Sequence, residues 1–154
     1  MKTRERMQID PATALDLDAI MQIEAQSFTA PWTRRMYEIE LNGNPFARTL
    51  AARDGANLIG YVCAWVVFEE LRLMTLAVRP EHRRGGIASA LVRAILAQGR
   101  EEGARRAVLE VRAGNEAAIA LYEQHGFRRH AVRRSYYTDP VEDAVLMELD
   151  PIPS

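Results

Sequence analysis

Cysteine is nearly absent from this chain of 154 residues: Cys63 stands alone, so no disulfide can close within it. A single cysteine fits a reducing, intracellular setting and leaves folding to an apolar core. Cys63 lies among Tyr61, Val62, Ala64 and Trp65 and reads as a buried apolar residue, not a nucleophile. Lysine is equally scarce: of 20 basic residues, Lys2 is the one lysine and 19 are arginine. Against 21 acidic residues the formal net charge is −1, which excludes a global basic field and argues against specific nucleic-acid binding. No apolar run approaches the ~20 residues of a membrane helix. The first ten residues are charged and lack the apolar core of a secretory signal. The expected location is the cytoplasm, with no membrane partner. His82, His125 and His130 lack metal-ligand spacing, so no metal is expected. Repeats, low-complexity stretches and linkers are missing too, and the length suits one domain over 1–154, large enough to bury a core unaided.

What is present is a strong pattern of alternating elements. Met7 to Ile9 reads as a short strand. Thr13 with Asp16 three residues on marks a helix start, and Leu17, Ile20, Met21 and Phe28 continue it over 14–27. Pro31-Trp32 breaks that helix, and Thr33 caps another to about Leu41. Thr49–Arg53, Leu58–Phe68 and Leu71–Val78 read as an antiparallel meander, with reversals at Asp54-Gly55 and Glu69-Glu70. A helix over 87–102 ends at Gly103, Ala107–Arg112 alternates as a strand, and Asn115 caps a helix from Glu116 to His125. Phe127–Tyr137 and Ala144–Leu149 complete an α/β (α+β) chain: one mixed sheet of about seven strands covered by about four helices.

The most telling stretch is Arg83-Arg84-Gly85-Gly86-Ile87-Ala88-Ser89, a glycine turn between a strand and a helix. The first N–H groups of a helix have no intrahelical partner, the helix dipole adds positive charge there, and glycines admit a phosphate close to the backbone. The turn therefore predicts a phosphorylated ligand. It is not a P-loop, because no Lys-Ser/Thr follows Gly86; it is not a dinucleotide fingerprint, because it follows antiparallel strands and lacks the Gly-x-Gly-x-x-Gly spacing.

It does match Arg/Gln-x-x-Gly-x-Gly/Ala through Arg83, Gly86 and Ala88. Leu76-Ala77-Val78 and Pro80 precede it; Leu109-Glu110-Val111-Arg112, Asn115, Ala117-Ala118-Ile119, Leu121-Tyr122 and Gly126-Phe127 follow in order. On these residues the chain resembles the GNAT acetyltransferases. Phe28, Pro31-Trp32, Arg133-Arg134, Tyr136-Tyr137 and Glu142-Asp143-Ala144 make it similar to the RimI-type ribosomal-protein alanine N-acetyltransferase branch, and the likeness runs from about residue 7 to residue 149. Two positions depart from the pattern: Ala88 stands where glycine is commoner, and the turn from Tyr137 to Glu142 is short.

The resemblance implies a GNAT fold, with a largely antiparallel sheet, and acetyl-CoA as co-substrate. The backbone of Leu76, Ala77 and Val78 would meet the pantetheine amides in a strand-addition mode. The N–H groups of Arg84, Gly85, Gly86, Ile87, Ala88 and Ser89 would hold the pyrophosphate, with Arg83 and Arg84 either adding charge to it or lying solvated. Glu110 faces away from Ala107, Leu109 and Val111; it is either a carboxylate paired with Arg112 or, as the resemblance implies, the general base. An α-amine of pKa roughly 7.7–8.0 is mostly protonated at neutral pH and must lose a proton before it can attack. The resemblance makes Tyr122 the acid that meets the departing thiolate, against a simple packing role. Asn115 is a helix cap and, by resemblance, a partner of the pantetheine arm.

On the acceptor side, Pro31, Trp32, Glu69, Glu70, Tyr136 and Tyr137 are candidates to line a peptide groove; Trp32 reads equally as a core anchor. Arg128, Arg129, Arg133 and Arg134 form either a solvated strand face or a contact for RNA or an acidic segment. The implied activity is acetyl transfer to the N-terminal alanine of a small-subunit ribosomal protein. The alternatives are another amine, a lysine side chain or small molecule, or a CoA-binding ribosome-assembly module.

Overall fold

The computed structural model describes residues 7–154; the start of the charged N-terminal segment, with Lys2, lies outside the described residues. Five elements lead into the centre of the sheet: β1 (Met7–Pro11), α1 (Leu17–Ser27), α2 (Arg34–Asn42), β2 (Ala47–Asp54) and β3 (Asn57–Val67). They are followed by β4 (Glu70–Val78), α3 (Ile87–Glu101), β5 (Arg106–Arg112), α4 (Glu116–Gln124), β6 (Arg128–Thr138) and β7 (Val141–Leu149). The seven strands form one sheet in the order β1-β2-β3-β4-β5-β7-β6. Every neighbouring pair is antiparallel except β4 and β5. The mixed, largely antiparallel sheet with four α-helices is the expected one.

The boundaries shift where local chemistry decides them. Residues 14–16 form a 3-10 turn rather than the first turn of α1, held by a capping box between Thr13 and Asp16. Arg53 grips both oxygens of Asp16 at 2.8 and 2.9 Å. That bidentate pair holds the Asp16 carboxyl below the usual range. Thr33 caps α2 as expected, its hydroxyl accepting from Met36 N at 3.2 Å. The β3–β4 reversal falls at Phe68-Glu69, one residue early, and β7 begins at Val141 rather than Ala144.

The two faces of the sheet carry separate cores. On one face α3 and α4 bury Ile87, Leu91, Ile95, Ile119 and Tyr122 against Leu71, Leu73, Leu109 and Met147. On the other, α1 and α2 bury Leu17, Ile20, Ile23 and Tyr37 against Ala51, Tyr61 and Ala77. α3 lies close on β4 because Gly99 has no side chain: a Cβ there would collide with Leu71 Cδ1.

Two features of β4 open the sheet. Cys63 faces Thr75 and Ala64 faces Leu73, so Met74 is an extra residue with no partner of its own on β3. This bulge reverses the alternation: Leu71 and Leu73 before it share the α3 face with Leu76 and Val78 after it, while Ala77 turns to the α1 face. The parallel pairing of β4 with β5 also stops early, joining only Glu70–Leu73 to Arg106–Leu109. Beyond it, Met74–Val78 and Glu110–Arg112 run on without pairing to each other. The result is a notch in mid-sheet, with unpaired strand edge on β4 and Glu110 on the opposite wall.

Candidate functional site

At one end of the notch the chain leaves β4, makes a 3-10 turn over Pro80–His82, and enters α3. Arg84 and Gly86 both have positive φ, 68° and 81°, and Gly86 is the N-cap of α3 with no side chain closing the helix end. The first intrahelical bond is Ala90 N to Gly86 O. The N–H groups from Arg84 to Ser89 thus have no protein acceptor among the described residues, and Arg84 and Gly85 are exposed. Such a concave row of N–H groups at a helix start suits an anion.

The two loop arginines separate. Arg83 folds back, its Nε donating to the Val78 carbonyl at 3.0 Å and its Nη2 to Ser27 Oγ at 3.2 Å, which pins the loop to β4 and α1. Arg84 makes no hydrogen bond or ion pair among the described residues. Ser89 is engaged from two sides: its Oγ lies 2.9 Å from His125 Nε2 at the end of α4 and 3.0 Å from Arg93 Nη1. Burial first, and the Arg93 charge second, lower the His125 pKa. Arg93 and His125 are not visible in the motif; their signal is the i,i+4 spacing of Ser89 and Arg93 on one helix face.

On the notch wall, Glu110 points as the alternation of β5 predicts, opposite to Ala107, Leu109 and Val111. The pairing with Arg112, one of the two alternatives left open by the sequence, does not form. Arg112 turns to β7, bonding Glu142 Oε1 at 3.2 Å and the Pro140 carbonyl at 2.9 Å, and lies 4.4 Å from the Tyr137 ring centre. Glu110 is met instead by Tyr136, whose hydroxyl donates to Oε1 at 3.2 Å, by Arg133 at 3.4 Å and by Arg72 at 4.0 Å. Arg72 and Arg133 come from β4 and β6, so sequence proximity carries no sign of them.

Tyr122 is buried on α4, edge-on to Phe127 at 5.8 Å. Burial, and then the neighbouring Tyr137 phenol, push its hydroxyl well above the usual phenol range. Tyr137 is pushed up to about 12, by burial and then by the Glu110 charge. The ring centres of Tyr136 and Tyr137 are 5.1 Å apart. Glu110, Tyr136 and Tyr137 therefore gather at the notch, with Tyr122 beside Tyr137. Asn115 does cap α4, its Oδ1 accepting from Ala118 N at 3.1 Å.

Other candidates lie apart from this group. Trp32 is half-buried, 5.0 Å from the Tyr37 ring, as an anchor. Glu70 is held by Arg106 at 3.4 Å and Arg72 at 3.6 Å, one ion pair removed from Glu110. With Glu69 and Phe68 it lines an open hollow at the opposite end of β4 from the glycine turn. The arginines of β6 do not act as one patch: Arg129 pairs with Glu123 at 3.7 Å and Arg133 with Glu110. Thr29 Oγ1 donates to the Asp139 carbonyl at 3.1 Å, joining the α1–α2 loop to the two-residue β6–β7 turn above the notch. Among the described residues no group of histidine, cysteine and acidic side chains could hold a metal ion, and no helix is long and apolar enough to cross a membrane.

Comparison with known proteins gives this geometry a family. The model of the acetyltransferase (GNAT) family matches residues 17–127. A Bacillus subtilis protein provisionally named a ribosomal protein bS18-alanine N-acetyltransferase is 38% identical over 132 residues, covering 86% of this chain and 87% of that protein. The Escherichia coli (strain K12) ribosomal protein bS18-alanine N-acetyltransferase is 35% identical over 136 residues, covering 87% of this chain and 90% of its own length. The crystal structure of the ribosomal-protein-S18-alanine N-acetyltransferase from Escherichia coli superposes with a TM-score of 0.87 at 32% identity, over 96% of this chain and 95% of that one.

Proposed function

The chain belongs to the acetyltransferase (GNAT) family, and on that premise we propose that it moves the acetyl group of acetyl-CoA to the α-amine of the N-terminal alanine of a small-subunit ribosomal protein, in the cytoplasm. One observation carries the reading: the uncapped, donor-rich start of α3 opens onto the same notch that Glu110 and the tyrosine group line. An anion-binding mouth and a carboxylate–phenol pair on one cleft suit a diphosphate-bearing thioester meeting an amine.

Acetyl-CoA supplies an activated acyl group, so no acyl-enzyme is needed. The N–H groups of residues 84–89 hold its pyrophosphate, and the unpaired edge of Leu76–Val78 takes up the pantetheine amides. Glu110, directly or through a water, accepts the proton of the α-ammonium group. The neutral amine attacks the thioester carbonyl, the C–N bond forms and the C–S bond breaks; the nitrogen sheds its second proton to water as the amide forms, which balances the proton delivered to sulfur. Tyr122 faces the sulfur that leaves as a thiolate. Because its hydroxyl is held above the usual phenol range, it is a weak acid. It serves first as a hydrogen-bond donor to the growing charge, and passes on its proton only as that charge becomes complete. Backbone N–H groups of β4 polarise the acetyl carbonyl. Tyr136, Arg133 and Arg72 compete with the incoming ammonium group for the Glu110 oxygens, so amine binding rearranges that set.

The test is mass spectrometry of protein N-termini in cells with and without this protein. It is paired with turnover of an Ala-starting ribosomal peptide against an N-blocked lysine peptide, polyamines and aminoglycosides. Loss of acetylation confined to one ribosomal alanine, and turnover confined to the first peptide, are expected. Turnover of the lysine peptide or a small amine in its place overturns the assignment.

A further inference from the structure

A carboxylate that takes no part in the chemistry is nearly inaccessible in the α1 core. Glu24 is 1% exposed and lies among Ile20, Ile23, Tyr37 and Tyr61. Burying an ionisable group without partners is costly, and Glu24 has three. Oε1 accepts from the hydroxyls of Tyr61 and Tyr37, the latter at 2.8 Å; Oε2 accepts from the backbone N–H of Trp32 at 2.8 Å. Burial raises both phenols far above their usual range, so they remain protonated and act as donors. The two oxygens thus do different work. One is held by the core, and the other holds a loop.

That loop is residues 28–33, between α1 and α2. Thr29, Ala30 and Pro31 are exposed, and the loop meets the rest of the molecule at few points. Glu24 fixes its C-terminal end at Trp32, whose ring rests on Tyr37. Thr29 fixes the other end to the β6–β7 turn, which Arg112 braces two residues after Glu110. The segment therefore spans the notch on the side from which an amine must approach Glu110.

We infer that Glu24 is a positioning residue for the acceptor polypeptide: it sets the wall formed by Pro31 and Trp32 and so governs acceptor affinity, without touching the reacting atoms. This rests on the acetyltransferase reading above. A pair of substitutions isolates the role. In Glu24→Leu the side chain fills much the same volume but offers no acceptor, so the Trp32 N–H loses its tether. Tyr61→Phe disturbs the core alone, removing one hydrogen bond to Glu24 and leaving Trp32 bound.

The experiment measures KM for an Ala-starting ribosomal peptide and for acetyl-CoA, thermal stability, and hydrogen exchange across residues 29–33, in wild type and both variants. Glu24→Leu should raise the peptide KM about tenfold with the acetyl-CoA KM unchanged, and speed exchange at Trp32. Tyr61→Phe should lower thermal stability and leave the peptide KM within about twofold of wild type. An unchanged peptide KM in Glu24→Leu, or equal rises in both KM values, overturns the inference. So does a peptide KM that rises as much in Tyr61→Phe, since a general loss of stability would then explain both. Should wild type fail to acetylate the peptide at all, it is the acetyltransferase reading that falls, while the exchange measurement still reports whether Glu24 holds the loop.

Discussion

The two mouths of the notch solve opposite electrostatic problems. Among the described residues the cations around the start of α3 form no ion pair: Arg83 bonds a carbonyl and a hydroxyl, Arg93 bonds Ser89, and Arg84 bonds no acidic side chain. No acidic residue occurs in the first turn of α3. Around Glu110 the charges are matched instead, arginine by carboxylate: Arg72 with Glu70 and Glu110, Arg106 with Glu70, Arg133 with Glu110, Arg112 with Glu142. The first mouth suits a ligand that brings its own negative charge. The second suits a cation that must displace an arginine and then surrender a proton. Field strength binds at one end; at the other, exchange of partners gates entry.

The comparison breaks most visibly at the second mouth. Glu110→Gln keeps the shape and removes the proposed proton acceptor, so kcat should fall by about 10²–10⁴ with the acetyl-CoA KM little changed. Tyr122→Phe should cost less, about tenfold to a hundredfold, because a phenol held so high is a donor before it is an acid. Steady-state kinetics of both variants check this. An equal or larger loss in Tyr122→Phe would make proton delivery to sulfur the harder step.

At the first mouth the expected effect is smaller and lies in binding. Gly86 has φ 81°, where an L-residue is strained by about 1–2 kcal/mol, and a Cβ there would crowd the proposed pyrophosphate site. Gly86→Ala should raise the acetyl-CoA KM about tenfold and leave the peptide KM alone, which calorimetry with CoA can check directly. Arg84→Ala should weaken CoA binding only a few-fold, and less at high salt, because an exposed charge is screened. If salt had no influence on the wild-type affinity, the contrast between the mouths would be wrong.

Much of this is legible in sequence because it is local. The glycine turn follows a strand and opens a helix, the caps at Thr13, Thr33 and Asn115 are side chains that satisfy nearby N–H groups, and the alternation of β5 fixes which way Glu110 points. What is hidden depends on distant pairing. Leu71 to Val78 reads as one unbroken strand, and only the register with β3 exposes Met74 as extra. Arg112 reads as the partner of Glu110, two residues away on the same face, yet Glu142 reaches it from β7. Glu24 did leave a trace: it falls at i+4 from Ile20, on the buried stripe of α1, where an acid calls for partners.

His125 provides the mildest test and the one most specific to the first mouth. Its folded-state pKa is lowered, by burial and then by Arg93, below an unfolded value of about 6.5. The folded protein therefore binds fewer protons than the unfolded chain in the window just below that value. Stability from this group is complete above it and is lost as pH falls through the lowered folded pKa. His125→Gln should flatten the decline in Tm on the acid side of about pH 6.5 and leave Tm near pH 8 almost unchanged. CoA should act the same way on wild type, because phosphates near Ser89 favour the imidazolium form and offset the influence of Arg93. A Tm series from about pH 5 to pH 8, with and without CoA, reads both effects. If CoA raised Tm equally at every pH, its phosphates would lie away from His125, and the unmatched charge at the start of α3 would have to be reassigned to Arg84 and the backbone alone.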